Sequence, residues 1–323
     1  MPMARMPSRQ WQKKRYDIIL CDYNLGRGKN GQQVLEEARH RDLIGLGSIF
    51  VMITAENTRD MVMGAVEYEP DSYLTKPFTK DLLKSRLDRL ISRKKDLEDV
   101  DAAACRQDFE RVIELLASKM AAKPKNFGEL TKLKAELCHR AGNYDQAVGI
   151  FQEVLNLREM PWAKLGLGKA FYALGRYQEA KDLFEELLAQ NERLTAAYDW
   201  LARTLQALSQ PLVAQDILQK AVAVSPKAIL RQRALGELAL KNGDCEVADK
   251  ALTQAVRLSR FSVYRHPGLH ANLARAKAAG GAEKDGLKIL KEMEKEFAGD
   301  SETKLYSAMV EGVIQRQLGN EEQ

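Results

Sequence analysis

An internal period close to 34 residues constrains this chain more than any other feature. Small residues recur at Ala147, Ala180, Ala214 and Ala248, with gaps of 33, 34 and 34 residues. Each period holds two apolar stretches at helical spacing, divided by a turn. Gly142, Gly175 and Gly243 stand at that turn, where a positive φ costs little only for glycine. Each helix pair exposes an apolar face that only the neighbouring pair can cover, so the array must stack into a solenoid. A weaker unit lies upstream and ends at Lys123-Pro124. Another lies downstream, with Gly286 in the small-residue slot after an insertion of about four residues. A last helical stretch, Glu302–Leu318, is expected to stand without a partner helix after it.

The clearest unit runs from Trp162 to Phe184 and carries Leu167, Gly168, Phe171, Ala180 and Phe184. Leu201, Ala202, Leu205, Ala214, Leu218, Ala221 and Pro226 repeat the pattern, as do Leu235, Gly236, Ala239, Ala248, Leu252 and Ala255. These spacings resemble the tetratricopeptide (TPR) family. The resemblance implies an α-solenoid over residues 93–323, with about five helix pairs plus the terminal helix. It also implies a concave groove for a protein or peptide that the sequence does not identify.

Residues 17–92 have a different grammar. Asp17–Cys21 and Ser48–Ile53 are short apolar runs, and Asp71–Thr75 is a weaker third. Amphipathic stretches near Gly31–His40 and Arg59–Glu67 lie between them, and another begins near Lys80. Short, continuous apolar strands alternating with helices are what a buried parallel sheet requires. The whole chain is therefore expected to be α/β followed by all-α, its first part a partial doubly wound, flavodoxin-like domain.

Three residues end the three predicted strands: Asp22, Thr54 and Lys76. In an open α/β sheet the carboxyl ends of the strands form the ligand crevice. A carboxylate, a hydroxyl and an ammonium would thus converge, which suits an aspartyl phosphate. In that order and spacing they resemble the two-component receiver, or response regulator, family. The resemblance implies Asp22 as phosphoacceptor, with Thr54 and Lys76 supporting the phosphoryl group. It implies Tyr73 as the switch aromatic and Gly31 at the turn into the following helix. It also implies Mg²⁺ held by Asp22 and the Asn24 main-chain carbonyl, and a histidine kinase or phosphotransfer protein as partner.

The family's first strand normally ends in paired acids that hold the metal. Here about 16 residues precede the Asp22 strand, and none is acidic. The first strand, first helix and second strand are expected to be absent, leaving an exposed apolar strand edge. Phosphorylation by the Mg²⁺-assisted route is expected to be impaired in the chain as it stands. Two explanations stay open: a truncated chain, or a receiver that has lost its chemistry.

The remaining signals are structural. Residues 1–16 read as a disordered basic lead-in, lacking the apolar core of a secretory signal. Cys21, Cys105, Cys138 and Cys245 include no CxxC pair, so neither a zinc site nor a secreted disulfide framework is indicated. A cytoplasmic compartment follows. The net charge of +5 does not point to nucleic acid, and no apolar run is long enough to span a membrane. His266 and His270 read as loop and helix-surface residues, Cys138 as core, and Trp162 and Trp200 as packing residues of first helices. Arg93-Lys94-Lys95 reads as a solvated junction face. The helix from Lys80 presents Leu82, Leu83, Leu87, Leu90 and Ile91 as one stripe. No Pro or Gly interrupts Thr79–Ala122, so this helix is expected to run nearly unbroken to about Asp99. The sequence thus indicates a non-enzymatic signalling adaptor. The leading role is a response regulator with a TPR output; the rival is a scaffold whose pseudo-receiver serves for docking or dimerisation.

Overall fold

The structure, a computed structural model, describes residues 16–55, 70–122 and 126–318. The expected lead-in up to Arg15 and the Arg59–Glu67 helix lie outside these residues. The first part is β1 (Ile18–Asp22), α1 (Gly31–His40), β2 (Ile49–Thr54), β3 (Ser72–Thr75) and α2 (Lys80–Lys95). The strands form one parallel sheet in the order β1-β2-β3. α3 (Glu98–Cys105), α4 (Phe109–Ala121), α5 (Phe127–Arg140), α6 (Tyr144–Leu157), α7 (Pro161–Ala173), α8 (Tyr177–Gln190) and α9 (Thr195–Ala207) follow. Then come α10 (Pro211–Val224), α11 (Ile229–Asn242), α12 (Cys245–Ser259), α13 (Pro267–Ala279), α14 (Glu283–Glu296) and α15 (Ser301–Gln317). The chain forms two compact units, one ending at Leu208 and one beginning at Ser209.

Both faces of the sheet carry helices. Ile19, Cys21, Phe50 and Met52 pack with Val34 and Leu35 of α1 on one face. Ile49, Val51 and Leu74 pack with Leu90 of α2 on the other, and Leu83, Leu87 and Ile91 lie against that cluster. Leu82 departs from the expected stripe and is 43% exposed. It lies in the first turn of the helix, where its N–H bonds to the capping Thr79 hydroxyl (3.2 Å). Within the described residues β1 is an edge strand, and Ile18 and Leu20 are exposed.

α2 does not run on into α3. It ends at Lys95, and the Asp96 and Leu97 N–H groups close a tight turn on the Ser92 and Lys94 carbonyls. The turn sends Leu97 into a second core with Val100, Ala103, Val112, Leu116, Leu130 and Leu137. Leu46, from the loop before β2, packs into that same core. Lys94 is likewise not a solvated cation. Its ammonium donates to the Leu46 carbonyl (2.6 Å) and pairs with Asp71 (3.0 Å). The other oxygen of Asp71 accepts from the Phe50 N–H (2.8 Å). Leu46 thus ties the sheet domain to the first helices of the array beyond the covalent junction, and Lys94 holds its loop to α2 and to the start of β3.

In the array Ala147, Ala180, Ala214 and Ala248 are all fully buried. Small residues on one helix receive large ones from the next. A Cβ on Gly168 would come within 2.5 Å of the Phe184 ring, and one on Gly236 equally close to Leu252. Cys138 is buried as expected. Trp162 packs edge-on to Phe151, and Trp200 to Tyr172. His270 is not a surface residue; it is buried beside Phe297, because α14 covers its face of α13.

Gly142, Gly175 and Gly243 have φ near +80° (81°, 76° and 79°) at the turns between paired helices. Ser209 takes the equivalent turn position between Gly175 and Gly243, also with positive φ (58°). An L side chain is disfavoured there. Ser209→Gly should therefore stabilise the chain by about 0.5–1 kcal/mol, read as a rise in the denaturant midpoint. An unchanged or lower midpoint would mean that the hydroxyl compensates for the strain. Lys94→Met should act in the opposite sense, because Asp71 keeps its burial and loses its cation. A loss of about 1–3 kcal/mol is expected, measured by urea unfolding.

Candidate functional site

The parallel register assembles the site. Asp22 lies opposite Ile53, and Thr54 opposite Thr75. The Tyr23 N–H bonds to the Ile53 carbonyl and the Lys76 N–H to the Thr54 carbonyl, each at 2.7 Å. The three strand ends are therefore locked side by side just where the strands give way to loops. Asp22, Tyr23, Asn24, Asn30, Thr54, Ala55 and Lys76 line one pocket of about 370 Å³. All three residues expected to converge do so.

The loop after β1 is shaped by its own polar groups. The Asp22 Oδ1 accepts from the Asn24 N–H (3.1 Å), and the Asn24 side chain accepts from the Gly26 N–H (3.1 Å). Asn30 then opens α1 with a reciprocal cap. Its side chain accepts from the Gln33 N–H (2.9 Å), and the Gln33 side chain accepts from the Asn30 N–H (3.1 Å). Gly31 is required at the next position, because a Cβ there would overlap the Asp22 carbonyl oxygen. That contact is how the turn into α1 fixes the backbone of the Asp22 residue.

Lys76 bonds directly to the second oxygen of Asp22. This hydrogen bond, aided by the Asn24 N–H and the lysine charge, holds the Asp22 carboxyl below its ordinary value of 3.8 against a smaller opposing effect of burial. The Lys76-Pro77 peptide bond is cis. Thr54 is buried at the pocket wall. Tyr73 turns towards the core on the α1 face, and burial pushes its phenol up to about 12. Cys21 lies in the same core, and burial pushes its thiol up to about 11, which makes it a poor nucleophile at neutral pH. Asn30 was not singled out from the sequence. Its pattern of an Asn three residues before a Gln is a helix-start signal, and the helix start brings it to the pocket.

Among the described residues the donor set does not fit a divalent cation. Hard cations of this kind need several oxygen ligands, usually including more than one carboxylate or a phosphate. Among the described residues the pocket offers one carboxylate, already held by an ammonium, and neutral oxygens from Asn24, Asn30 and Thr54. No cluster of three or more His, Cys, Asp or Glu groups suited to a metal occurs among the described residues.

Comparison with known proteins agrees with both halves of the chain. Residues 4–88 match the response regulator receiver domain. Residues 139–204 and 233–301 match the tetratricopeptide repeat. The transcriptional regulatory protein CiaR of Streptococcus pneumoniae is 40% identical over 78 residues, which cover 24% of this chain and 33% of CiaR. The chemotaxis protein CheY-3 of Vibrio cholerae is 31% identical over 88 residues, covering 25% of this chain and 62% of that protein. The chain thus spans between a third and about three-fifths of these relatives. Among solved structures, the TPR protein YrrB, described as having an unusual peptide-binding site, is 20% identical with a TM-score of 0.48. It covers 59% of this chain and 97% of its own. MamA from Desulfovibrio magneticus RS-1 is 21% identical with a TM-score of 0.45, covering 54% and 97%.

The depressed Asp22 carboxyl has a checkable consequence. The pair contributes stability above the ordinary carboxylate range and loses it as pH falls through the lowered Asp22 value. Carbon-detected NMR titration should find Asp22 titrating below 3.8, and Lys76→Met should move it back up. An Asp22 unaffected by that substitution would show that the ion pair does not form in solution.

Proposed function

We propose that this chain, which joins a response regulator receiver domain to tetratricopeptide repeats, is a phosphorelay response regulator whose output is protein binding. The observation that carries the proposal is the convergence of Asp22, Thr54 and Lys76 on one pocket at the ends of adjacent parallel strands. Asp22 is the phosphoacceptor. A carboxylate oxygen attacks the phosphorus of a phosphohistidine donor, and the P–N bond breaks as the new P–O bond forms. Lys76 already pairs with Asp22 and would pair with the incoming phosphoryl oxygens as they arrive. The Thr54 hydroxyl donates to one of those oxygens, and Tyr73 follows its movement as the switch aromatic. Asn24 borders the pocket. The donor would be a cytoplasmic histidine kinase or phosphotransfer protein, and the repeats would present the output to a protein or peptide. No catalytic activity beyond this transfer is assigned, and nothing in the reading calls for nucleic acid. Among the described residues no helix is long and apolar enough to cross a membrane.

The fold supplies a direct route between the parts. Thr54 ends β2, and the loop that precedes β2 carries Leu46 into the core of the first array helices. Lys94 and Asp71 bind that loop to α2 and to the start of β3. A rearrangement at the strand ends would thus reach the array through packed groups, where a loose tether would transmit only proximity.

The single carboxylate of the pocket favours a second reading, in which the receiver is a docking or dimerisation surface independent of phosphate. Incubation with acetyl phosphate, followed by intact-mass analysis with and without Mg²⁺, separates the two. A phosphoryl adduct lost in Asp22→Asn supports the phosphorelay reading, and adduct formation in that variant would move the acceptor elsewhere. No adduct at millimolar donor, with partner binding retained in Asp22→Asn, would establish the scaffold.

A further inference from the structure

α15 packs its inner face well. Val310 and Ile314 are buried with Ala271, Ala274 and Ala278 of α13 and Leu290 and Met293 of α14. Its outer face is apolar too: Leu305, Met309 and Val313 are 60%, 63% and 49% exposed. They lie four residues apart, so they form one stripe along the helix. Scattered exposed apolar residues need no explanation, but a contiguous stripe on an otherwise packed helix marks a contact surface.

The charges at the ends of this stripe say what covers it. Glu302 and Arg316 are both exposed and lie on the same face, each seven residues from Met309, and one oxygen of the Glu302 carboxylate also meets the His266 ring of its own chain (3.1 Å). The seam Glu302, Leu305, Met309, Gly312, Arg316 advances by three and four residues, the spacing of a helix that pairs with another along its length. An antiparallel copy related by a two-fold axis at Met309 would set Met309 against itself and Leu305 against Val313. It would also set Glu302 against Arg316 at both ends. A two-fold interface must be self-complementary. This surface is, with an apolar centre and opposite charges equidistant from it. A parallel copy would instead set Glu302 against Glu302 and Arg316 against Arg316. We infer that α15 is a homodimerisation surface, joining two copies of this chain through an antiparallel α15–α15 contact centred on Met309.

A contact made by one helix from each copy is small beside the roughly 1,200–2,000 Å² of a stable interface, so the dimer should dissociate on dilution. Sedimentation velocity of the intact chain over a concentration series should show a monomer–dimer equilibrium. Met309→Glu places like charges together on the axis and should weaken it by at least about tenfold. Arg316→Glu should also weaken it. Adding Glu302→Arg to that variant should restore it, because the end pairs are re-formed with their signs exchanged. Circular dichroism melting curves matching the parent would show that the variants are folded. The inference is overturned if the parent is monomeric throughout, if Met309→Glu dimerises as before, or if the charge exchange fails to restore the dimer. Dimerisation untouched by all of these substitutions would place the contact elsewhere, for instance at the β1 edge.

Discussion

No helix pair in this chain can bury its own apolar face, and the remainder of the architecture follows from that. A lone pair would leave a face of large side chains in water, and stacking is the arrangement that covers every face with identical geometry. The small residues set how closely the layers approach. Gly168 leaves room for the Phe184 ring, and Gly236 for Leu252. The constraint also bears on the first and last described helices of the array. At its start, the core of the first helices takes in Leu46 from the sheet domain. In the last described helix, α15, one face is buried and the other carries an apolar stripe.

The site depends on a different interaction, the ladder between parallel strands. Parallel pairing brings the carboxyl ends of all three strands to one edge, so residues more than 50 positions apart in sequence meet there. The chemistry is then set by charge. Lys76 favours the ionised form of Asp22, and an ionised carboxylate is the form that can act as a nucleophile. The same ion pair occupies the carboxylate a divalent cation would need. Among the described residues the pocket therefore offers little to a divalent cation.

The loop before β2 couples the sheet domain to the array through Leu46, and buried polar groups of the sheet domain hold that loop in place. Lys94 and Asp71 are both largely shielded from solvent, and each makes a second hydrogen bond to the backbone of the sheet domain. A shielded pair that loses one partner leaves a costly lone charge, so the clasp favours one arrangement of loop and helix. The turn at Asp96-Leu97 adds to this by sending α3 towards a different core from the one α2 serves.

The sequence by itself determined the architecture, because periodicity is a local property. The 34-residue repeat, the alternation of strands and helices, and the order Asp22, Thr54, Lys76 can all be read without knowing what touches what. α1 has the bounds its pattern indicated. Where the sequence misled, the deciding partner was distant. Lys94 sits in a run of basic residues and looked solvated, yet Leu46 and Asp71 enclose it from far along the chain. His270 looked like a surface residue until α14 covered it. The absence of Pro and Gly from Thr79 to Ala122 pointed to a helix running nearly unbroken to about Asp99, whereas α2 ends at Lys95 and a turn carries Leu97 into a second core. Helix propensity is a weak preference per residue, and burying a leucine outweighs it. Only the tertiary structure could decide these points, since burial and pairing are set by what the fold brings close and not by neighbours in sequence.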